Sequence, residues 1–119
     1  MSQKDLIENL TEASSLPWNP HPKFPGVTMK TMVSSAMTHG AFSQHLVRVE
    51  PECALETHVH PAQCELHLVL KGGGIARLED QEGDYRPGSL VTIPAGAAHS
   101  VRAGSDGLTM LASFCPAQG

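Results

Sequence analysis

The chain has 119 residues, with 8 Lys and Arg against 12 Asp and Glu and a formal net charge of −4 at pH 7. That length suits one domain around one core. The acidic balance and an aromatic share of only 4% argue against nucleic-acid binding, which needs a basic face or a stacking platform, and no apolar run approaches the roughly 20 residues of a membrane span.

Eleven glycines and nine prolines suit many short strands joined by tight turns. The cysteines Cys53, Cys64 and Cys115 are odd in number and lack metal-ligand spacing. The opening Met-Ser-Gln-Lys-Asp-Leu-Ile-Glu is too charged for a secretory apolar core. A cytoplasmic protein with reduced thiols is therefore expected.

Residues 1–26 read as an arm and a Pro-rich loop, and residues 27–115 as the folded domain. Leu6, Ile7 and Leu10 form an apolar stripe at helical spacing, which predicts a short helix over 3–13. Pro17, Pro20, Pro22 and Pro25 make the next stretch irregular. Trp18 and Phe24 are expected to pin it to the outside of the domain, with His21 on the surface.

Residues 27–35 read as the first strand, and a turn at Thr38-His39-Gly40 leaves His39 in solvent. Residues 42–50 form the second strand. His45 and Val47 share one face, while Gln44 and Arg48 share the other. Periodicity does not decide which face looks inward, so His45 on one side, or Gln44 and Arg48 on the other, are the candidates to touch a substrate. Arg48 would suit a carboxylate.

Residues 58–72 are the most informative stretch. His58 and His60 stand two apart, so on a strand both imidazoles point to one face. Pro61 ends that strand, and Glu65 opens the next apolar run. A hairpin between the two would return the Glu65 carboxylate to the imidazoles. Two His and one carboxylate on one side of an ion is the arrangement expected for non-heme iron and related divalent metals. His99 is a fourth candidate.

On the strand 65–70, Glu65, His67 and Val69 share a face, so His67 either supports the metal site or faces substrate. Leu66, Leu68 and Leu70 occupy the opposite face. A strand apolar on both faces is buried on both, which predicts a homodimer packed through this sheet. Lys71-Gly72-Gly73-Gly74 reads as a turn between strands. Residues 75–80 form a strand, and 84–86 a short one holding Tyr85, either an acid in the pocket or an aromatic covering an outer edge. Residues 89–93 form an apolar strand, Pro94 to Ala98 a tight connection, and His99 begins another strand. A turn at 104–107 and a last strand at 108–114 follow, with a tail that carries no assigned role.

Two spacings here resemble the motifs of the cupin superfamily. His58, His60, Glu65 and Gly72 match its His-x-His, Glu, Gly pattern. Gly88, Pro94, Gly96 and His99 match its second pattern of Gly, Pro-x-Gly and His. The motifs cover residues 52–103. Glu52 stands where the family usually has Gly, and Ala103 where it often has Asn; neither position is a metal ligand in the family.

The resemblance implies an all-β fold, a single cupin (jelly-roll) barrel. It also implies one divalent transition metal held by His58, His60, Glu65 and His99. Three imidazoles and a carboxylate suit iron, manganese, nickel, zinc or copper and disfavour magnesium and calcium.

The leading expectation is a metal-dependent enzyme on a small organic substrate, of dioxygenase type if iron is bound. With a redox-silent metal it would be an isomerase, cyclase or lyase, with His67, Tyr85 or His45 as proton carrier. The alternatives are a non-catalytic module that binds a small molecule and a barrel with a structural metal. Turnover, a ligand-induced melting shift, or unfolding on metal removal would distinguish the three.

Overall fold

The computed structural model describes residues 10–118. The helix predicted over 3–13 falls largely outside them; Ala13–Ser15 form a single 3₁₀ turn. Eight strands follow: β1 (Asn19–Pro20), β2 (Val27–Val33), β3 (Ser43–Val49), β4 (Ala54–His58), β5 (Cys64–Leu78), β6 (Gln81–Tyr85), β7 (Leu90–Ile93) and β8 (His99–Cys115). One helical turn, Ser35–Thr38, links β2 to β3 and ends at His39, which is exposed and left-handed with φ 52°.

The long strands β5 and β8 pair antiparallel from Cys64↔Cys115 to Leu78↔His99. Register shifts fall between Val69 and Lys71 and between Gly72 and Gly74, and the ladder folds over there. One half, with β1, β2, β3 and β7, makes one layer. The other half, with β4 and β6, makes the second. The result is a jelly-roll of two packed layers whose ladder does not close into a ring.

Two sequence expectations are corrected by this topology. Lys71 to Gly74 is a bend inside one strand, as is the stretch 104–107. A Gly run looks the same whether the chain reverses or folds over; here the glycines let backbones approach closely. A Cβ at Gly72 would run into the Gly107 carbonyl oxygen, and one at Gly74 into that of Arg102. The hairpin expected between the His58 strand and the Glu65 strand does not form either. β4 pairs with β8, and β5 pairs with β6, β7 and β8.

The core lies between the layers. It contains Val27, Val47, Val49, Leu55, Val69, Val101, Leu108, Met110 and Phe114, each from the inward set of an alternating strand. On β3 the inward set is Ser43, His45, Val47 and Val49. Gln44 and Arg48 point outward, so neither of these two substrate candidates reaches the interior. Arg48 instead lies 4.0 Å over the Trp18 ring, with Lys30 5.0 Å from the same ring. Two cations against one indole hold the arm on the outer face of β2 and β3.

Trp18 thus packs outside as expected. Phe24 does not: it is buried in the core cluster, because the Pro-rich loop turns inward over the open end of the layers. Glu52 adopts φ 65°, the left-handed conformation for which glycine is the natural residue. The turn before the first motif therefore keeps a glycine's shape without its freedom.

The fold-over gives a direct test. Gly74→Ala should destabilise the protein by about 1–3 kcal/mol, the usual cost of overpacking, measured by chemical denaturation. An unchanged midpoint would mean that the two strands separate at the bend without cost.

Candidate metal centre

Glu65 pairs with Phe114 and Leu78 with His99, and Glu65 and Leu78 are 13 residues apart on β5. A flat strand would separate them by about 43 Å at about 3.3 Å per residue. The folded ladder instead brings His99 Nε2 to 3.1 Å from Glu65 Oε1. His58 closes the same side because it pairs with His99 across β4 and β8. His60, two residues on, places Nε2 3.4 Å from Glu65 Oε1. The ligand atoms of His58, His60, Glu65 and His99 all lie within 4.8 Å of one another.

The donor set fits a divalent transition metal. His58 Nδ1–H donates to the Glu56 carbonyl at 2.6 Å, and His99 Nδ1–H to the Ala97 carbonyl at 3.0 Å. A carbonyl can only accept, so each bond places a ring proton on Nδ1 and makes Nε2 the atom that faces the cluster. Burial lowers the pKa of His58 and of His60, which favours the neutral form that binds metal. Burial also opposes charge on His99, but its bonds to Glu65 and the Ala97 carbonyl outweigh that and raise its pKa.

Behind the cluster, His67 Nε2 lies 2.7 Å from Glu65 Oε2 and Nδ1 lies 2.8 Å from the Tyr85 hydroxyl. Burial and the nearby Glu65 charge push the Tyr85 pKa upward, so its O–H remains a donor to His67 Nδ1. His67 then donates Nε2–H to Glu65 Oε2, leaving Oε1 turned toward His60 and His99. Burial alone would raise the Glu65 carboxyl, yet the bonds from His67 and His99 overcome it and hold the pKa at about 2.

Tyr85 is buried, so it does not cover an outer edge. Its place opposite Gly74 on β6 turns its ring inward against the core. Neither Tyr85 nor His67 lines the cavity in front of the metal cluster.

That cavity has a volume of about 400 Å³. Its walls are largely apolar and include Phe24, Met29, Leu55, Met110 and Phe114; His45, His21 and Lys23 supply polar groups. His45 is therefore the β3 candidate that reaches it. Its Nε2–H donates to the Gln118 carbonyl at 3.3 Å, and Nδ1 accepts from the Thr31 hydroxyl at 3.1 Å. Burial lowers its pKa.

Three contributors were not evident from sequence. His21, expected on the surface, lines the cavity, with its ring 4.8 Å from that of Phe24. Its Nδ1 accepts from the backbone N–H of Lys23 and of Phe24. Lys23 stands at the same rim. The tail, which carried no assigned role, straps the cavity: Ala117 N–H donates to the Gly40 carbonyl, Gln118 N–H donates to Ser43 Oγ at 2.9 Å, and Gln118 lines the wall. The only hint of the first two lay in the prolines, which force the chain to turn back near residues 20–25.

A jelly-roll of this size, with three histidines and a glutamate converging between its layers in an arrangement compatible with a divalent metal ion, is the architecture of the cupin class. Residues 45–114 match the cupin domain family model (Cupin_2), and the chain belongs to that family. No curated protein matches it in sequence. Among solved structures, KdgF from a Halomonas species is similar with 17% identity and a TM-score of 0.80, covering 90% of this chain and 92% of its own. A predicted oxalate decarboxylase from Thermotoga maritima has 20% identity and a TM-score of 0.81, covering 90% and 98%. A single-residue variant of oxalate decarboxylase from Bacillus subtilis has 19% identity and a TM-score of 0.76 over 89% of this chain and 29% of that protein. At these identities the likeness is one of fold.

The hydrogen-bond chain behind Glu65 leads to a separable outcome. His67→Ala and Tyr85→Phe should each keep the fold and still bind metal, with affinity reduced about 10–100-fold, as read by competition with a chelator. Unchanged affinity in both would show that Glu65 needs no support from behind.

Proposed function

We propose that this cupin is a metal-dependent enzyme acting on a small organic molecule that carries a carboxylate. The observation that carries this reading is the position of the four-ligand cluster. Three of its members, His58, His60 and Glu65, line a mostly apolar cavity of about 400 Å³ with Lys23 at the rim. That volume is in the range of small-molecule sites. Lys23 takes the anchoring role that Arg48 cannot, since Arg48 lies outside on Trp18. Oxalate decarboxylases among the structural neighbours agree with a carboxylate substrate but share only the fold.

His58, His60, Glu65 and His99 hold the ion. A bound divalent ion would supply Lewis acidity, or with iron the capacity to activate dioxygen, so dioxygenase chemistry is the leading reading for iron and isomerase, cyclase or lyase chemistry for a redox-silent metal. His67 and Tyr85 act as positioning residues that aim Glu65. His45, kept neutral by burial, offers the cavity a hydrogen-bond donor at Nε2. A substrate group reaching its Nε2–H competes with the Gln118 carbonyl. Phe24, Met110 and Phe114 exclude water from the reacting face. No helix among the described residues is long and apolar enough to cross a membrane, and a cytoplasmic location accords with three free thiols.

The first test is elemental analysis of protein purified without added metal, beside the His58→Ala and His60→Ala variants. Near-stoichiometric metal in the parent that is lost from both variants is the expected result. The metal found selects the assays, oxygen consumption for iron and isomerase or lyase assays for zinc, nickel or manganese. Lys23→Ala should then raise KM for carboxylate substrates with little change in kcat. Equal turnover of neutral analogues would overturn the substrate class, while metal retained by both His variants would overturn the site.

We further propose a homodimer packed through the outer face of β3, β8, β5 and β7. Leu46, Leu111, Leu68 and Leu90 fall in one transverse row by register, and Leu90 is 63% exposed. Leu70, farther along β5, is also exposed. Light scattering should give twice the chain mass, and Leu68→Lys should give monomer. A monomeric parent would overturn this interface.

A further inference from the structure

Cys64 and Cys115 lie 51 positions apart in sequence and form the first register pair of the β5–β8 ladder. Both are free and exposed. Their neighbours Glu65 and Phe114 point inward and are buried, so the two cysteines point outward on the same face. Antiparallel register partners have Cα atoms about 4.5–5.5 Å apart, inside the range of about 4.4–6.8 Å that a disulfide spans. The ladder ends at this pair: Pro61 to Gln63 precede β5, and Pro116 follows β8. The β5–β8 ladder does not continue past the two sulfurs, and the tail beyond Cys115 is held instead by the Ala117 bond to Gly40. Cys53, the third cysteine, lies elsewhere, half-buried and packed beside Gly26.

We propose that Cys64 and Cys115 are a reversible dithiol–disulfide modification site, oxidised by a small-molecule disulfide such as oxidised glutathione. One cysteine, as its thiolate, attacks the oxidant, forming a mixed disulfide and releasing one glutathione thiol. The second cysteine attacks the protein sulfur of that mixed disulfide. The intrachain S–S bond forms, the second glutathione leaves, and the two protons of the cysteines end on the two released thiols. The protein pair is oxidised by two electrons and the oxidant is reduced by two.

The location gives the bond a consequence for the cavity. Cys64 directly precedes Glu65, and Cys115 leads through Pro116 into the strap whose Gln118 lines the cavity and holds His45. Oxidation ties the strand that carries the buried carboxylate to the root of that strap. Transient cysteine pairs of this kind are the usual form of disulfide in a reducing compartment. The inference does not depend on the metal or on the proposed activity.

The test equilibrates the full chain in glutathione buffers of stepped ratio, quenches with acid, and counts thiols. Free thiols should fall from three to one in a single step. The non-reduced peptide map should show one cross-linked pair containing Cys64 and Cys115, and dithiothreitol should restore all three thiols. Cys53→Ser should fall from two thiols to none with the same midpoint. Cys64→Ser and Cys115→Ser should each stop at the mixed disulfide. A persistent glutathione adduct on the parent at Cys64 or Cys115, a cross-link between two chains, or three unreacted thiols would each overturn the proposal.

Discussion

The folded pairing of β5 with β8 is the constraint on which the rest of the molecule depends. Each strand serves both layers, so neither layer exists without the crossing at Gly72, Gly74 and Gly107. The same crossing assembles the candidate metal cluster of three histidines and a glutamate. Glu65 and His99 sit toward opposite ends of one ladder and meet only because it doubles over. Fold stability and site geometry are therefore one problem in this protein. A side chain at the bend would act on the site without touching it.

The site is divided between a dry rear and an open front. At the rear, Tyr85, His67 and Glu65 form an ordered hydrogen-bond series in which every buried polar atom has a partner. This lets a carboxylate stay charged where burial alone would protonate it. At the front, the cavity is walled by core side chains and roofed by two irregular segments, the His21–Phe24 turn and the Gln118 strap. The regular strands thus hold the candidate ligands, and the segments without ladder pairing shape the entrance, as is common where a rigid scaffold carries variable loops.

What could be read from the sequence follows the same division. The four candidate ligands were legible because alternation fixes which residues share a face and because the motif spacing spans both strands. The inward set Glu65, His67, Val69 followed from the same alternation. The two faces of β3 were equally amphipathic, and Trp18, an irregular residue stacking on Arg48, decided between them. Contacts made by Phe24, His21 and Gln118 carry no periodicity. They depend on where a loop lands after the layers have formed. The Gly run was ambiguous for a different reason: close backbone approach and chain reversal both call for the absence of a Cβ.

A ladder that does not close leaves strands with only one neighbour, and here these are β1, β4, β6 and β7. Such strands present unpaired N–H and C=O groups to any other extended chain. In this protein each is short, from two to five residues. Pro20 lies within β1, with Pro17 and Pro22 close by. Pro51 and Pro61 bracket β4, and Pro87 and Pro94 bracket β7. β6 lacks proline but carries Glu82 and Asp84. Proline cannot extend a ladder, and charge repels a second strand. Seven of the nine prolines thus lie in or beside these one-neighbour strands, where they limit how far a second chain could extend the ladder.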